Sequence, residues 1–343
     1  MIRLKMLFLM VLFSNVQAAK GLHIFIWGEY LKPELVKKFE VQEKTKVSIS
    51  YYTSNEDMLA KLQAGGVSQY DIIVPSDYIV PSLIALKLVQ KLDHSKIPNL
   101  KNLSPKFKNP SFDPGNVYSA GYAWGTVGLL YNTKAFKHPI DSWSAIFDPK
   151  QHVGKFLLMD SPRELIGPAL KYMGKSLNSV NPSDLQAAGN LILTAKSSPM
   201  SLGFAADVGL KNRVLAGEAA LSVVYSGDGM RAVRENKNLA YILPKEGGSL
   251  TLDSLSIPAK APNAALAQRF INFILDPKNG AENAEWHGFA TPNAAALSYT
   301  QASIRNNPAI YPPDQALSRF EFIRDLGKNN RLYDEVWTAL KSR

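Results

Sequence analysis

The sequence predicts an α/β protein built as two lobes, each a mainly parallel sheet flanked by helices, joined by β crossovers with a cleft between. Three observations point there. Strand and helix patterns alternate three times within the first hundred residues, a second αβ series begins near Ser142-Trp143, and no low-complexity linker separates the two blocks. Such alternation is the signature of parallel strands whose crossover helices cover the sheet. At 343 residues the chain is long enough for two such units.

The elements follow in order. Residues 22–27 form an apolar run that ends in Trp27, and Gly28-Glu29-Tyr30 turns away from it. From Lys32 to Glu43 a helix places Leu35, Val36 and Phe39 on one face. Residues 47–52 read as a second strand, and Ser54-Asn55-Glu56 opens a helix that stops at Gly65-Gly66. Residues 71–75 are a short strand, apolar on both faces as parallel strands are. Ser76-Asp77-Tyr78 then caps a helix through Leu83 and Leu86. After an irregular stretch rich in Pro, Asn and Lys, residues 117–132 read as two successive strands, with Gly125 and Gly128 marking a bend or a close backbone approach. The second series has strands at 156–160, 220–225, 241–244 and 250–257. Its helices fall near 164–174, 183–196, 211–217 and 265–275, and a last helix closes the chain at 331–341.

Composition narrows the function. The chain is 46% hydrophobic and 20% charged, ordinary values for a globular protein with sizeable cores. Its net charge of +10 raises the question of a nucleic-acid partner, but Lys and Arg are scattered with no run of five or six, so the charge reads as solvated surface and no nucleic acid is expected. The absence of cysteine excludes disulfides, thiol nucleophiles and Cys-based metal sites. The five histidines show no metal-ligand spacing, and neither a metal nor a cofactor is expected.

The N-terminus predicts a secretory signal peptide over residues 1–18. Arg3 and Lys5 precede the apolar run 6–13, and small residues lead to cleavage after Ala18. The run is too short to span a bilayer. Cleavage would lower the net charge to +8 by removing Arg3 and Lys5. With no cysteine at the cleavage site, a lipid anchor there is ruled out, and the expected location is the periplasm.

One stretch concentrates chemistry. Residues 220–225 climb through β-branched side chains to Tyr225, break at Ser226-Gly227, and deliver Asp228 just before a helical pattern. Ligands of open α/β sheets sit at such strand ends. Tyr225 and Asp228 suit an organic cation, through the ring quadrupole and charge-assisted hydrogen bonds. Asp228 equally suits the cap of the following helix.

The order of short motifs along the chain is more specific than any one of them. Trp27-Gly28-Glu29-Tyr30, Tyr70-Asp71-Ile72-Ile73-Val74-Pro75-Ser76, Trp124-Gly125-Thr126, Pro244-Lys245-Glu246-Gly247-Gly248, Asp253-Ser254-Leu255 and Thr291-Pro292-Asn293 occur in sequence. The set resembles the periplasmic spermidine/putrescine-binding proteins of bacterial polyamine ABC importers, over nearly the whole mature chain. The resemblance implies a type II-like two-lobe binding protein that captures a polyamine between its lobes and delivers it to an inner-membrane permease. It implies a monomer and no catalysis. The lobes would comprise residues 19–128 with 254–298, and 129–253 with 299–343.

By that resemblance Trp27 and Tyr30 pack on the ligand chain, Ser76 and Tyr78 contact it, Tyr225 stands where the family usually has tryptophan, and Asp228 and Asp253 hold ammonium groups. Glu164 matches a glutamate that contacts an amine, although Ser161-Pro162-Arg163-Glu164 also reads as a capping box. Departures occur at Ser161 in place of an aspartate, Thr251 in place of a tryptophan, Phe289 in place of a tyrosine, and Ile323 where a glutamine falls. These leave putrescine and spermidine both open as ligands. The rival readings are a binding protein for another small amine or amino-acid-like solute, and an exported hydrolase using Asp228 and Asp253 as acid and base.

Overall fold

The computed structural model describes residues 21–206 and 208–342; the leader expected over residues 1–18 lies outside the described residues. The strands are β1 (Gly21–Trp27), β2 (Lys46–Tyr52), β3 (Ile72–Ile73), β4 (Val89–Gln90), β5 (Ser119–Asn132), β6 (Phe156–Met159), β7 (Ser201–Ala205), β8 (Leu221–Tyr225), β9 (Leu239–Ile242), β10 (Ser249–Pro258) and β11 (Glu321–Phe322). They form two sheets of one design. In the first, β2, β1 and β3 run parallel, and β10 lies antiparallel between β3 and the first half of β5. In the second, β7, β6 and β8 run parallel, and the second half of β5 lies antiparallel between β8 and β9.

The two sheets therefore exchange strands. β5 pairs with β10 from Ser119 to Thr126 and with β8 from Val127 to Tyr131. Its partner β10 returns the other way and also pairs with β11 at Ser249 and Leu250. The boundaries expected at 128/129 and 253/254 both fall inside these crossing strands. The expectation of two strands across 117–132 is corrected here to one strand of 14 residues. Gly125 and Gly128 mark close approaches: a Cβ on Gly125 would meet Ser226 and Phe289, and one on Gly128 would meet Tyr241 and the Ile242 carbonyl of β9.

Each sheet covers its own apolar core. Leu22, Ile24, Ile26, Phe39, Ile72, Phe270 and Ile271 fill the first, and Trp143, Phe156, Leu158, Ile166, Val223 and Ile192 the second. Fully burying a Leu, Ile or Phe side chain is worth about 1.5–3 kcal/mol, so each lobe has ample apolar drive of its own.

Several elements went unpredicted, and two of them show why. β7 carries a central glycine and is only partly buried, which weakens its periodic signal. The helix Pro277–His287 buries small and polar residues, among them Asn279, Gly280, Ala281, Asn283 and Ala284, in place of an apolar stripe. Its start is set by Asp276, whose carboxylate accepts from the N–H groups of Lys278 (3.0 Å) and Asn279 (3.2 Å). Among the described residues, no helix is long and apolar enough to cross a membrane.

Candidate ligand-binding cleft

The carboxyl ends of the parallel strands in both sheets meet at one cavity, and the expected site residues arrive there on separate elements. Trp27 and Tyr30 follow β1, with Gly28 between them; Ser76 follows β3; Asp253 lies on β10 beside Thr251. Tyr225 ends β8, Asp228 lies in the first turn of the helix Ser226–Glu235, and Phe289 follows the helix Pro277–His287. The cavity measures about 30 Å³, room for about two water molecules. As it stands the cavity is too small for an organic solute.

Asp253 is the best-held carboxylate. The Tyr30 hydroxyl donates to its Oδ2 (2.5 Å) and the Ser76 hydroxyl to its Oδ1 (2.6 Å). β10 and β5 slip register at this point, with Ala123 opposite Asp253 and Gly121 opposite Ser254, so Tyr122 is the extra residue of a bulge. Bulges re-aim side chains, and here the irregularity sits where the carboxylate turns into the cleft. Burial pushes Asp253 up to about 6, against the opposing pull of the Ser76 and Tyr30 hydroxyls.

Ser76 was expected to cap the next helix. Its side chain makes no capping bond and serves Asp253 instead. Asp228 likewise does not cap: the position before the helix is Tyr225, and Asp228 lies within the first turn, where the helix dipole favours a negative charge. Burial pushes Asp228 up to about 6, Lys211 and Arg231 pull it down, and Glu29 adds to the push.

The aromatic residues form the walls. The Trp27 indole N–H donates to the Val74 carbonyl (3.0 Å) and its ring meets Tyr52 edge-on. The Tyr30 ring packs edge-on to Phe289 (5.1 Å between centroids) and to Tyr122 (5.3 Å). Phe289 is placed by its own N–H, which donates to His287 Nδ1 (3.0 Å). Burial, with Arg231 and Arg234 nearby, pushes His287 down to about 3 and keeps that nitrogen a neutral acceptor. Gly125 is required here, because a Cβ on it would stand 2.8 Å from the Phe289 ring.

Two expected contacts fall elsewhere. Tyr78 lines a neighbouring groove of about 640 Å³ between the Lys106–Phe107 segment and Ile323. Its hydroxyl accepts from Asn55 (3.0 Å) and donates to Glu56 (3.1 Å). Glu164 is buried and accepts from the Ser249 hydroxyl. Ser161 makes no capping bond, so the capping box is not formed. Burial raises Glu164 to about 7, against the pull of Ser249 and Arg163.

Asp77 escaped the sequence reading. It lines the same groove as Tyr78, is 2% exposed, and one of its carboxylate oxygens has no hydrogen-bond partner. Burial and the charge of Asp253 raise it well above the ordinary carboxylate range. Thr251 was legible in principle, since alternation along β10 puts it on the face of Asp253.

These carboxyl groups give a signed pH dependence. Each has a raised pKa, so folding favours its neutral form. That contribution to stability is fully present below the ordinary carboxylate range and is lost as pH rises through about 6 for Asp228 and Asp253 and about 7 for Glu164. A bound cation reverses the preference. Cation affinity is therefore expected to be about tenfold tighter at pH 8 than at pH 5 from Asp253 alone, with proton release on binding near pH 6. Calorimetry in buffers of different ionisation enthalpy measures both, and a flat affinity with no proton release would count against Asp253 as the contact.

Known proteins share this architecture. The family model described as bacterial extracellular solute-binding protein matches residues 34–312. The spermidine/putrescine-binding periplasmic protein of Salmonella typhimurium is 36% identical over 322 residues, covering 94% of this chain and 91% of that protein. The putrescine/cadaverine-binding protein of Pseudomonas aeruginosa is 36% identical over 344 residues, covering 96% of each. Among solved structures, the spermidine/putrescine ABC transporter substrate-binding protein of Streptococcus pneumoniae superposes with a TM-score of 0.79 at 31% identity, covering 94% of this chain and 99% of that one. The extent of these matches leads to one conclusion: this chain belongs to the bacterial extracellular solute-binding protein family.

Proposed function

We propose that the chain is the solute-capturing component of a bacterial ABC importer and that its solute is a polyamine of the putrescine and spermidine class. The observation that carries this reading is Asp253, a carboxylate held by Tyr30 and Ser76 at the base of an aromatic-walled cleft. An ammonium group leaving water needs a carboxylate to replace its hydration, and the methylenes behind it need apolar walls. Trp27, Tyr30, Tyr225 and Phe289 supply those walls. Relatives named for binding spermidine, putrescine or cadaverine support the same class. Phe289 and Thr251 provide an apolar wall and a small hydroxyl in place of larger polar aromatics, which favours contact with methylenes over hydrogen bonding.

The protein performs no reaction on its ligand; closure and release are its function. A ligand touching both lobes favours the closed state by its differential affinity, and a permease in the inner membrane receives it. The chain works as a monomer in the periplasm after cleavage behind Ala18, without a lipid anchor. Residues 19–128 with 254–298 form one lobe, and 129–253 with 299–343 the other.

A thermal-shift and calorimetric panel of polyamines, other amines and amino acids tests the reading. At a hundred times the dissociation constant, the right ligand raises stability by about 2.7 kcal/mol. Silence toward every polyamine at millimolar concentration rejects it.

A further inference from the structure

The end of the cleft at Asp228 is held shut by the protein's own cations. Lys211, on the helix Val208–Leu215, is 2% exposed and donates to Glu29 Oε2 (2.6 Å). Arg231, three residues beyond Asp228, pairs with the same oxygen (2.7 Å) and donates from Nη1 to the Glu29 carbonyl (2.9 Å). Glu29 lies in the turn after β1, in the first lobe, and the two cations come from helices of the second lobe.

The charges here balance. Glu29 and Asp228 contribute two negative charges, Lys211 and Arg231 two positive ones, and both cations act on Asp228 through space without a direct ion pair to it. Asp253 is different: both of its recorded side-chain partners are neutral hydroxyls, from Tyr30 and Ser76. The uncompensated negative charge of the cavity is therefore centred on Asp253.

We propose that Lys211 is a specificity-determining residue, a built-in ammonium that serves the carboxylates at the Asp228 end and leaves Asp253 as the ammonium-binding group of this cavity. This inference rests on the amine reading of the cleft. It means that a second ammonium placed at the Asp228 end gains little, because a cation already compensates that carboxylate and adding another repels it. The protein then distinguishes a diamine from a monoamine of equal length only weakly in this cavity, and Lys211 is the reason.

The test is the ratio of dissociation constants for n-butylamine and 1,4-diaminobutane, measured by calorimetry on the purified protein. The wild-type ratio is expected to be below about tenfold. In Lys211→Met the ratio is expected to rise by about tenfold, since Asp228, relieved of one of its two nearby cations, offers a charge-assisted hydrogen bond to the second ammonium. Lys211→Arg, which keeps the charge, is expected to retain the wild-type ratio. Because removing a buried lysine that pairs with Glu29 also bears on the stability of the fold, Glu29→Gln serves as the second variant: it releases Lys211 toward Asp228 and is expected to lower the ratio further. If both amines bind but Lys211→Met leaves the ratio unchanged or lowers it, the role of Lys211 is overturned while the amine reading stands. If wild type binds neither amine nor any polyamine, the amine reading falls and takes this inference with it.

Discussion

Asp253→Asn is expected to weaken polyamine binding by about 100-fold at pH 7.5, the largest loss from any single change in the cleft. Two effects combine. The substitution removes the charge that replaces ammonium hydration, and removing one partner of a buried charge pair costs about 2–5 kcal/mol. It also disturbs the local network. The carboxylate accepts from two hydroxyls, Tyr30 at 2.5 Å and Ser76 at 2.6 Å, whereas an amide offers one oxygen and one NH₂. One hydroxyl must then turn away or meet a donor. Calorimetry reads the affinity, and thermal unfolding of the ligand-free variant separates lost binding from lost structure. Binding within threefold of wild type would move the ammonium site away from Asp253.

Gly128→Ala is expected to produce the largest loss of stability, about 3 kcal/mol or more. Gly128 lies in β5 beyond the crossover, opposite Val224 of β8. A Cβ there would stand 2.3 Å from the Ile242 carbonyl oxygen and 2.8 Å from the Tyr241 ring. The carbonyl is backbone of a strand paired to β5, so it cannot swing aside as a side-chain tip would. Tyr241 is tied as well, with its hydroxyl 3.1 Å from that of Thr126. For a chain of this size, 3 kcal/mol lowers the midpoint of thermal unfolding by about 4 °C. Gly209→Ala is the matched control: it lies in a helix with nothing within 4 Å of the added carbon, and alanine there is expected to be neutral or mildly stabilising. Differential scanning calorimetry distinguishes the pair, and an unfolding midpoint for Gly128→Ala within 2 °C of wild type would contradict the steric argument.

Much of the cleft was legible before any coordinates because its residues sit at strand ends and in turns. Trp27 ends an apolar run, Tyr225 ends another, and Asp253 is a charge inside a strand that is otherwise apolar or small and polar. Local pattern suffices for such places, since a strand's carboxyl end is where an open sheet receives ligands. The same logic also offered helix caps for side chains whose partners are distant. Ser76 and Glu164 have the local grammar of caps, yet Ser76 serves a carboxylate 177 residues away and Glu164 accepts from a serine 85 residues away. Asp77 was absorbed into a helix start, although it is buried with one unpartnered oxygen and lines a groove whose other walls, Leu252 and Ile323 among them, come from segments far apart in sequence.

By itself the sequence determined the fold class, the order of the longer strands and most of the longer helices, the likeness to a solute-binding family, and the aromatic and acidic residue types that a cation site needs. Periodicity and turn chemistry are local, and the ordered motifs survive as short words in the chain. Only the tertiary structure decided that residues 119–132 are one strand shared by two sheets, that Tyr30 and Ser76 converge on Asp253, and that Lys211 is a buried cation at Glu29 rather than a surface lysine of an amphipathic helix. The reason is physical: whether a charge is solvated, paired or free to bind a ligand depends on which groups exclude water around it, and those groups come from parts of the chain that meet only in the folded state.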